Sequence, residues 1–184
     1  MMSLDKIKEL RKELWKQAYA ENCFNYVIGY CKHIEENNLK PPTPLYYSLS
    51  TSICINYSKP FLNNWGVGRT ESLLVPKGLG KMHNTLMALR DKSIAHIDSN
   101  SSITSIRNEI TLIIAENNLL FDMSMNTINY EHIDKVLTLA SVMRDKAKYW
   151  RHKNFTKLKD VCPQSKGTYI LNVDDNTDET FIKR

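Results

Sequence analysis

The chain has 184 residues, with 25 Lys and Arg against 20 Asp and Glu, a net charge of +5 and 42% hydrophobic residues. That balance describes a globular chain long enough to bury one core and argues against intrinsic disorder. No apolar run approaches the roughly 20 residues that span a bilayer, and Met1 to Leu14 alternates charges with aliphatics where a signal peptide would be apolar, so a cytoplasmic protein without a membrane partner is expected.

Ile7, Leu10, Leu14 and Ala18 keep helical spacing, and Phe24, Val27, Ile28, Cys31 and Ile34 continue it. The first 37 residues therefore form one long helix, or two with a break near Asn22. Pro41, Pro42 and Pro44 end the segment. A second helix is expected from Leu45 to Tyr57, closed by Pro60 and followed by the loop Asn63-Asn64-Trp65-Gly66-Val67-Gly68. A third helix is predicted from Gly78 to His96. Its stripe Met82, Leu86, Leu89, Ser93, His96 turns from apolar to polar in the last two turns, which is unusual for a stripe that only builds core. Ile110, Leu112 and Ile114, then Glu116-Asn117-Asn118 and Leu119 to Met123, suggest a β-hairpin, with a helix over 106–115 as the competing reading. Ile133, Val136, Leu137, Ala140, Met143, Ala147 and Trp150 mark the clearest helix, from Tyr130 to about Lys153. Gly167 to Val173 reads as a strand that could pair with the hairpin. The expectation is a mainly α single domain over 1–184: a helical core over about 4–153, and a C-terminal extension over about 154–184. Small β elements are placed near 109–125 and 167–173.

The chemistry concentrates in Ala88-Leu89-Arg90-Asp91-Lys92-Ser93-Ile94-Ala95-His96. An arginine can hold a phosphate and a histidine can move protons, which is the minimum equipment for cutting RNA. Seven arginines and five histidines supply about 0.6 such spacings by chance, so context must carry the reading. Leu89 before the arginine, Asp91 after it and Ile94-Ala95 before the histidine resemble the signature of the HEPN superfamily. The upstream run Ile55-Asn56-Tyr57-Ser58-Lys59-Pro60-Phe61, a polar loop and a helix carrying His83 resemble its abortive-infection members. The resemblance covers roughly residues 45–98.

It implies a HEPN-like helical bundle and a metal-independent endoribonuclease. Such an enzyme would be a toxin or phage-defence effector acting on tRNA or mRNA as a homodimer, with no cofactor. It also suggests a nucleotidyltransferase-type antitoxin as a partner. Arg90 would bind the scissile phosphate, His96 would exchange protons with the 2′-hydroxyl or the leaving oxygen, and Asp91 would orient Arg90 or, across a dimer, a histidine. Helical geometry adds Lys92 and Ser93 as substrate contacts, four and three residues before His96. Arg90 and His96 lie about 240° apart around a straight helix and ~9 Å apart along it, so they do not stack on one face. A helix distortion, a bent arginine or a second subunit would have to bring them together; the family's active sites lie in a dimer groove. His83, seven residues before Arg90, shares its face and is a weaker candidate.

Blander readings exist for each feature. Arg90 could simply pair with Asp91 or Glu71, and His96 could cap a helix end, leaving a non-catalytic HEPN module that binds RNA or a protein. Arg144 to Lys159 mixes seven cations with Tyr149, Trp150 and Phe155, which suits unpaired bases or an ordinary solvated face. Asp174, Asp175 and Asp178 do not have the spacing of an EF-hand. Cys23, Cys31, Cys54 and Cys162 are too irregularly spaced for a zinc site, so no metal is expected and the four read as free thiols.

Overall fold

The computed structural model describes residues 2–63, 69–70, 73–91, 110–115, 118–123, 127–174 and 177–184, with the backbone alone for 110–115 and 118–123. Among them the chain is mainly helical, with α1 (Leu4–Glu36), α2 (Pro44–Ser58), α3 (Gly80–Leu89) and α4 (Ile133–Lys157). Short strands β1 (Ile110–Ala115), β2 (Asn118–Met123), β3 (Tyr169–Leu171) and β4 (Phe181–Lys183) complete it. Two contact units emerge, one of residues 1–25, 59–74 and 140–184, the other of residues 26–58 and 75–139. Two of their four boundaries fall inside helices, between Asn25 and Tyr26 in α1 and between Leu139 and Ala140 in α4; the others follow Ser58, the last residue of α2, and Leu74.

Helix α1 runs for 33 residues without a break at Asn22. Asp5 in its first turn complements the helix dipole. Its stop is a Schellman motif: Asn38 takes the left-handed conformation (φ 47°), Leu39 N–H donates to Ile34 O at 2.9 Å, and Asn38 N–H donates to Glu35 O at 3.1 Å. The two bonds satisfy carbonyls that the helix end would otherwise leave orphaned. Pro44 then opens α2 at a position where a missing N–H costs nothing.

In the first unit, Leu10, Leu14 and Leu158 form a buried cluster to which Met2, Ile7, Val161 and Leu171 add partly buried surface. Each buried leucine contributes roughly 1.5–3 kcal/mol. Of the residues expected on the α1 stripe, Ala18 alone is exposed, and Arg11, Gln17, Ala20 and Cys23 are buried in addition. Gln17 is buried because the amide finds a partner: Asn154 Nδ2 donates to Gln17 Oε1 at 3.1 Å. Arg11 is buried too, at 1% exposure, and its guanidinium donates to three backbone carbonyls, of Glu179 (2.8 Å), Thr177 (3.1 Å) and Asp174 (3.2 Å). Lys8 adds an ion pair to Asp178 at 3.2 Å. These contacts hold the segment linking β3 to β4, and the two strands pair antiparallel with Ile170 opposite Ile182. The expected pairing of the tail with the hairpin is therefore corrected: β3 finds its partner in β4, twelve residues on, and β1–β2 form a separate sheet.

In the second unit, β1 and β2 pair in continuous register from Ile110 opposite Met123 to Ala115 opposite Asn118, so the hairpin reading holds over the helical one for residues 110–115. Tyr46, Ile53, Cys54 and Tyr57 give α2 a buried face. The Tyr46 hydroxyl donates to Ile128 O at 2.6 Å, fixing the segment ahead of α4. Asn129 caps the turn Tyr130–His132, which leads directly into α4. The predicted motif helix begins with a 3₁₀ turn, Lys77–Leu79, continues as α3 and widens to a π-helical turn at Arg90 and Asp91.

Candidate functional site

Leu86 and Leu89, 0% and 2% exposed, set the inward side of α3. Their burial outweighs anything a surface ion pair adds, at about 0–1 kcal/mol, so the leucines dictate where the polar residues point. His83 and Arg90 fall within about 20° of each other around this helix and about 10.5 Å apart along it. Both are half-buried, at the shoulder of the leucine face.

Arg90 follows the last α-helical residue, Leu89. The backbone N–H of Arg90 reaches Leu86 O and Met87 O. Its Nη1 donates to Asp91 Oδ1 at 2.6 Å, with the two side chains 34% and 50% exposed. One edge of the guanidinium is thus held while its other N–H donors have no protein partner among the described residues. A guanidinium braced on one edge by a carboxylate is suited to receiving an oxyanion on its remaining donors. The π-helical turn at the same two residues is a distortion that recurs at functional sites.

Two turns earlier, His83 meets α2. Its Nδ1 lies 2.8 Å from the Tyr57 hydroxyl oxygen, and the rings pack edge to face with centroids 5.7 Å apart. Tyr57 is fully buried, and burial pushes its hydroxyl well above the usual tyrosine range. Burial also lowers the imidazole below its usual 6.5, which favours the neutral form. At neutral pH the pair is therefore uncharged, fit to orient or exchange a proton and unfit to neutralise a phosphate.

The structure brings Arg90 and Asp91 together as the sequence suggested. Lys92, Ser93 and His96, and the alternative partner Glu71, lie outside the described residues. The partner of His83 was not foreseen, although Tyr57 stands within the upstream run that carries the resemblance. Arg11 was missed as well; its spacing of four after Ile7 and three before Leu14 placed it on the buried stripe. Among the described residues no three His, Cys, Asp or Glu side chains gather as metal ligands. Asp178 is engaged by Lys8, and none of the four cysteines forms a disulfide. Among the described residues no helix is long and apolar enough to cross a membrane. Compared with family models, curated proteins and solved structures, the chain gives no match.

Proposed function

We propose that this chain is a HEPN-type endoribonuclease that cuts RNA without a metal, acting in the cytoplasm as a homodimer and as a toxin or phage-defence effector. The observation that carries the reading is the guanidinium of Arg90, braced on one edge by Asp91 just past α3, with its other donors unpaired among the described residues. It stands in the Leu-Arg-Asp…His sequence that resembles the family's motif. In the reaction, the 2′-oxygen attacks phosphorus as its proton passes to a base. The phosphorus–5′-oxygen bond breaks, and the departing oxygen takes up a proton, leaving a 2′,3′-cyclic phosphate and a 5′-hydroxyl. His96 serves as the base or the acid, by the general acid–base chemistry suited to an imidazole. Arg90 binds the phosphate and offsets the charge that grows on it. Asp91 orients Arg90, and Lys92 and Ser93 contact substrate. DNA is not cut, because it lacks the nucleophile.

The test incubates wild type, Arg90→Ala and His96→Ala, matched in circular dichroism and oligomeric state, with total RNA in excess EDTA. Cleavage to cyclic-phosphate ends by wild type, reduced at least ~100-fold in either variant, is the expected result. The Arg90–Asp91 pair also favours a second reading, a non-catalytic module that binds RNA or a protein partner such as a nucleotidyltransferase-type antitoxin. Equal inactivity of all three proteins on tRNA and mRNA would select that reading.

A further inference from the structure

We propose that the exposed face of the C-terminal half of α4, with the 3₁₀ turn that follows it, is a binding surface for single-stranded RNA. The inward side of this segment is set by Met143, Ala147, Asn154 and Leu158, all buried. At 100° per residue the opposite sector carries Phe155 at one edge and Tyr149 at the other, about 120° apart. Lys148 and His152 lie between them, Lys159 follows in the 3₁₀ turn Lys159–Val161 just past the helix, and all five side chains are exposed. Tyr149 is 62% and Phe155 46% exposed, on a helix whose other apolar residues are buried or partly buried.

The neighbouring cations separate into two groups. Arg144 is bound to Asp145 (2.8 Å), Arg151 to Glu21 (2.6 Å), Lys146 to Leu74 O (2.6 Å) and Lys157 to Asn154 (3.0 Å). Lys148 and Lys159 have no such partner among the described residues. Lys153 sits 4.6 Å from the Trp150 ring centroid, and Trp150 packs edge-on against Tyr149 at 5.5 Å, bracing that ring. On this face Asp145 is neutralised by Arg144, leaving Asp160 as the acid opposing three lysines.

Unpaired cations between exposed aromatic rings complement a strand whose phosphates are charged and whose bases are free to stack. A duplex would not offer those bases, and a membrane surface would call for exposed aliphatics, of which residues 144–160 present none.

The test uses the full chain and a short fluorescent oligouridylate carrying 2′-O-methyl groups, which cannot be cleaved by 2′-oxygen attack, read by anisotropy at about 50 mM salt and upward. Lys148→Ala with Lys159→Ala should lower the slope of log affinity against log salt by about 1.4, at 0.7 per phosphate contact on a single strand. Tyr149→Ala and Phe155→Ala should each weaken binding at least about fivefold with the slope unchanged, and Tyr149→Phe should retain it. Wild-type affinity in the alanine variants, no binding by wild type, or equal binding to duplex RNA or phosphatidylserine vesicles would overturn the proposal. Because the probe is uncleavable, retained binding without RNA cleavage leaves this face standing, and cleavage without binding sinks it alone.

Discussion

The Tyr57–His83 contact joins a fully buried hydroxyl to an imidazole held neutral by burial. Its sign with pH is definite. A histidine whose folded pKa lies below its usual 6.5 contributes stability that is present above 6.5 and lost as pH falls through the folded value, because the unfolded chain then binds the extra proton. Wild type should therefore lose more melting temperature than His83→Gln between about pH 7 and about pH 5, with carboxylate titration common to both. Parallel pH profiles of the two proteins would refute the burial of a neutral imidazole. At this scale Arg90 and Asp91 were legible because they adjoin in sequence. Tyr57 and His83 lie 26 residues apart on different helices, so periodicity could place each on its own face and could not bring the faces together.

The β3–β4 element depends on Arg11. The residue donates three hydrogen bonds from a charged group into neutral carbonyls, while its buried Nε has no acceptor among the described residues. Replacement by alanine leaves those carbonyls unsatisfied and opens a cavity, and should cost about 3 kcal/mol in urea unfolding. Amide exchange at Asn172 and Arg184, which donate to Thr180 O and Thr168 O at 2.9 Å, should quicken along with it. A loss below about 1 kcal/mol with unchanged exchange would show that the strands hold themselves. The long elements were readable from sequence because apolar periodicity is strong in α4 and alternation is clear in β1. The partner of β3 was not: Phe181-Ile182-Lys183 is too short for a pattern, and its pairing is secured by an arginine about 170 residues away in the chain.

Across the whole molecule the four thiols report on opening. Cys23, Cys31 and Cys54 are buried, and burial pushes the thiols of Cys31 and Cys54 up to about 12, far from the reactive thiolate. Cys162 is partly exposed. An aromatic disulfide reagent should therefore label one thiol of the native protein quickly, a phase absent in Cys162→Ser, and reach the other three only after denaturant. Rapid labelling of two or more sites in Cys162→Ser would contradict the burial. The mainly helical class was within reach of sequence because class follows from summed periodicity. The two contact units were not: the crossings after Ser58 and after Leu74 lie within two residues of Pro60 and Pro76, but the other two cut α1 and α4, where no proline or linker marks the chain. That placement governs how the protein can be dissected. Cutting between Asn25 and Tyr26 leaves Tyr26–Glu36, eleven residues of α1, with four unsatisfied N–H groups at its new start and a length below the ~12–15 residues at which an isolated helix is even marginal in water. A fragment trimmed to the unit that bears Arg90 thus begins on a helix unable to sustain itself, and the motif must be assayed in the uncut polypeptide.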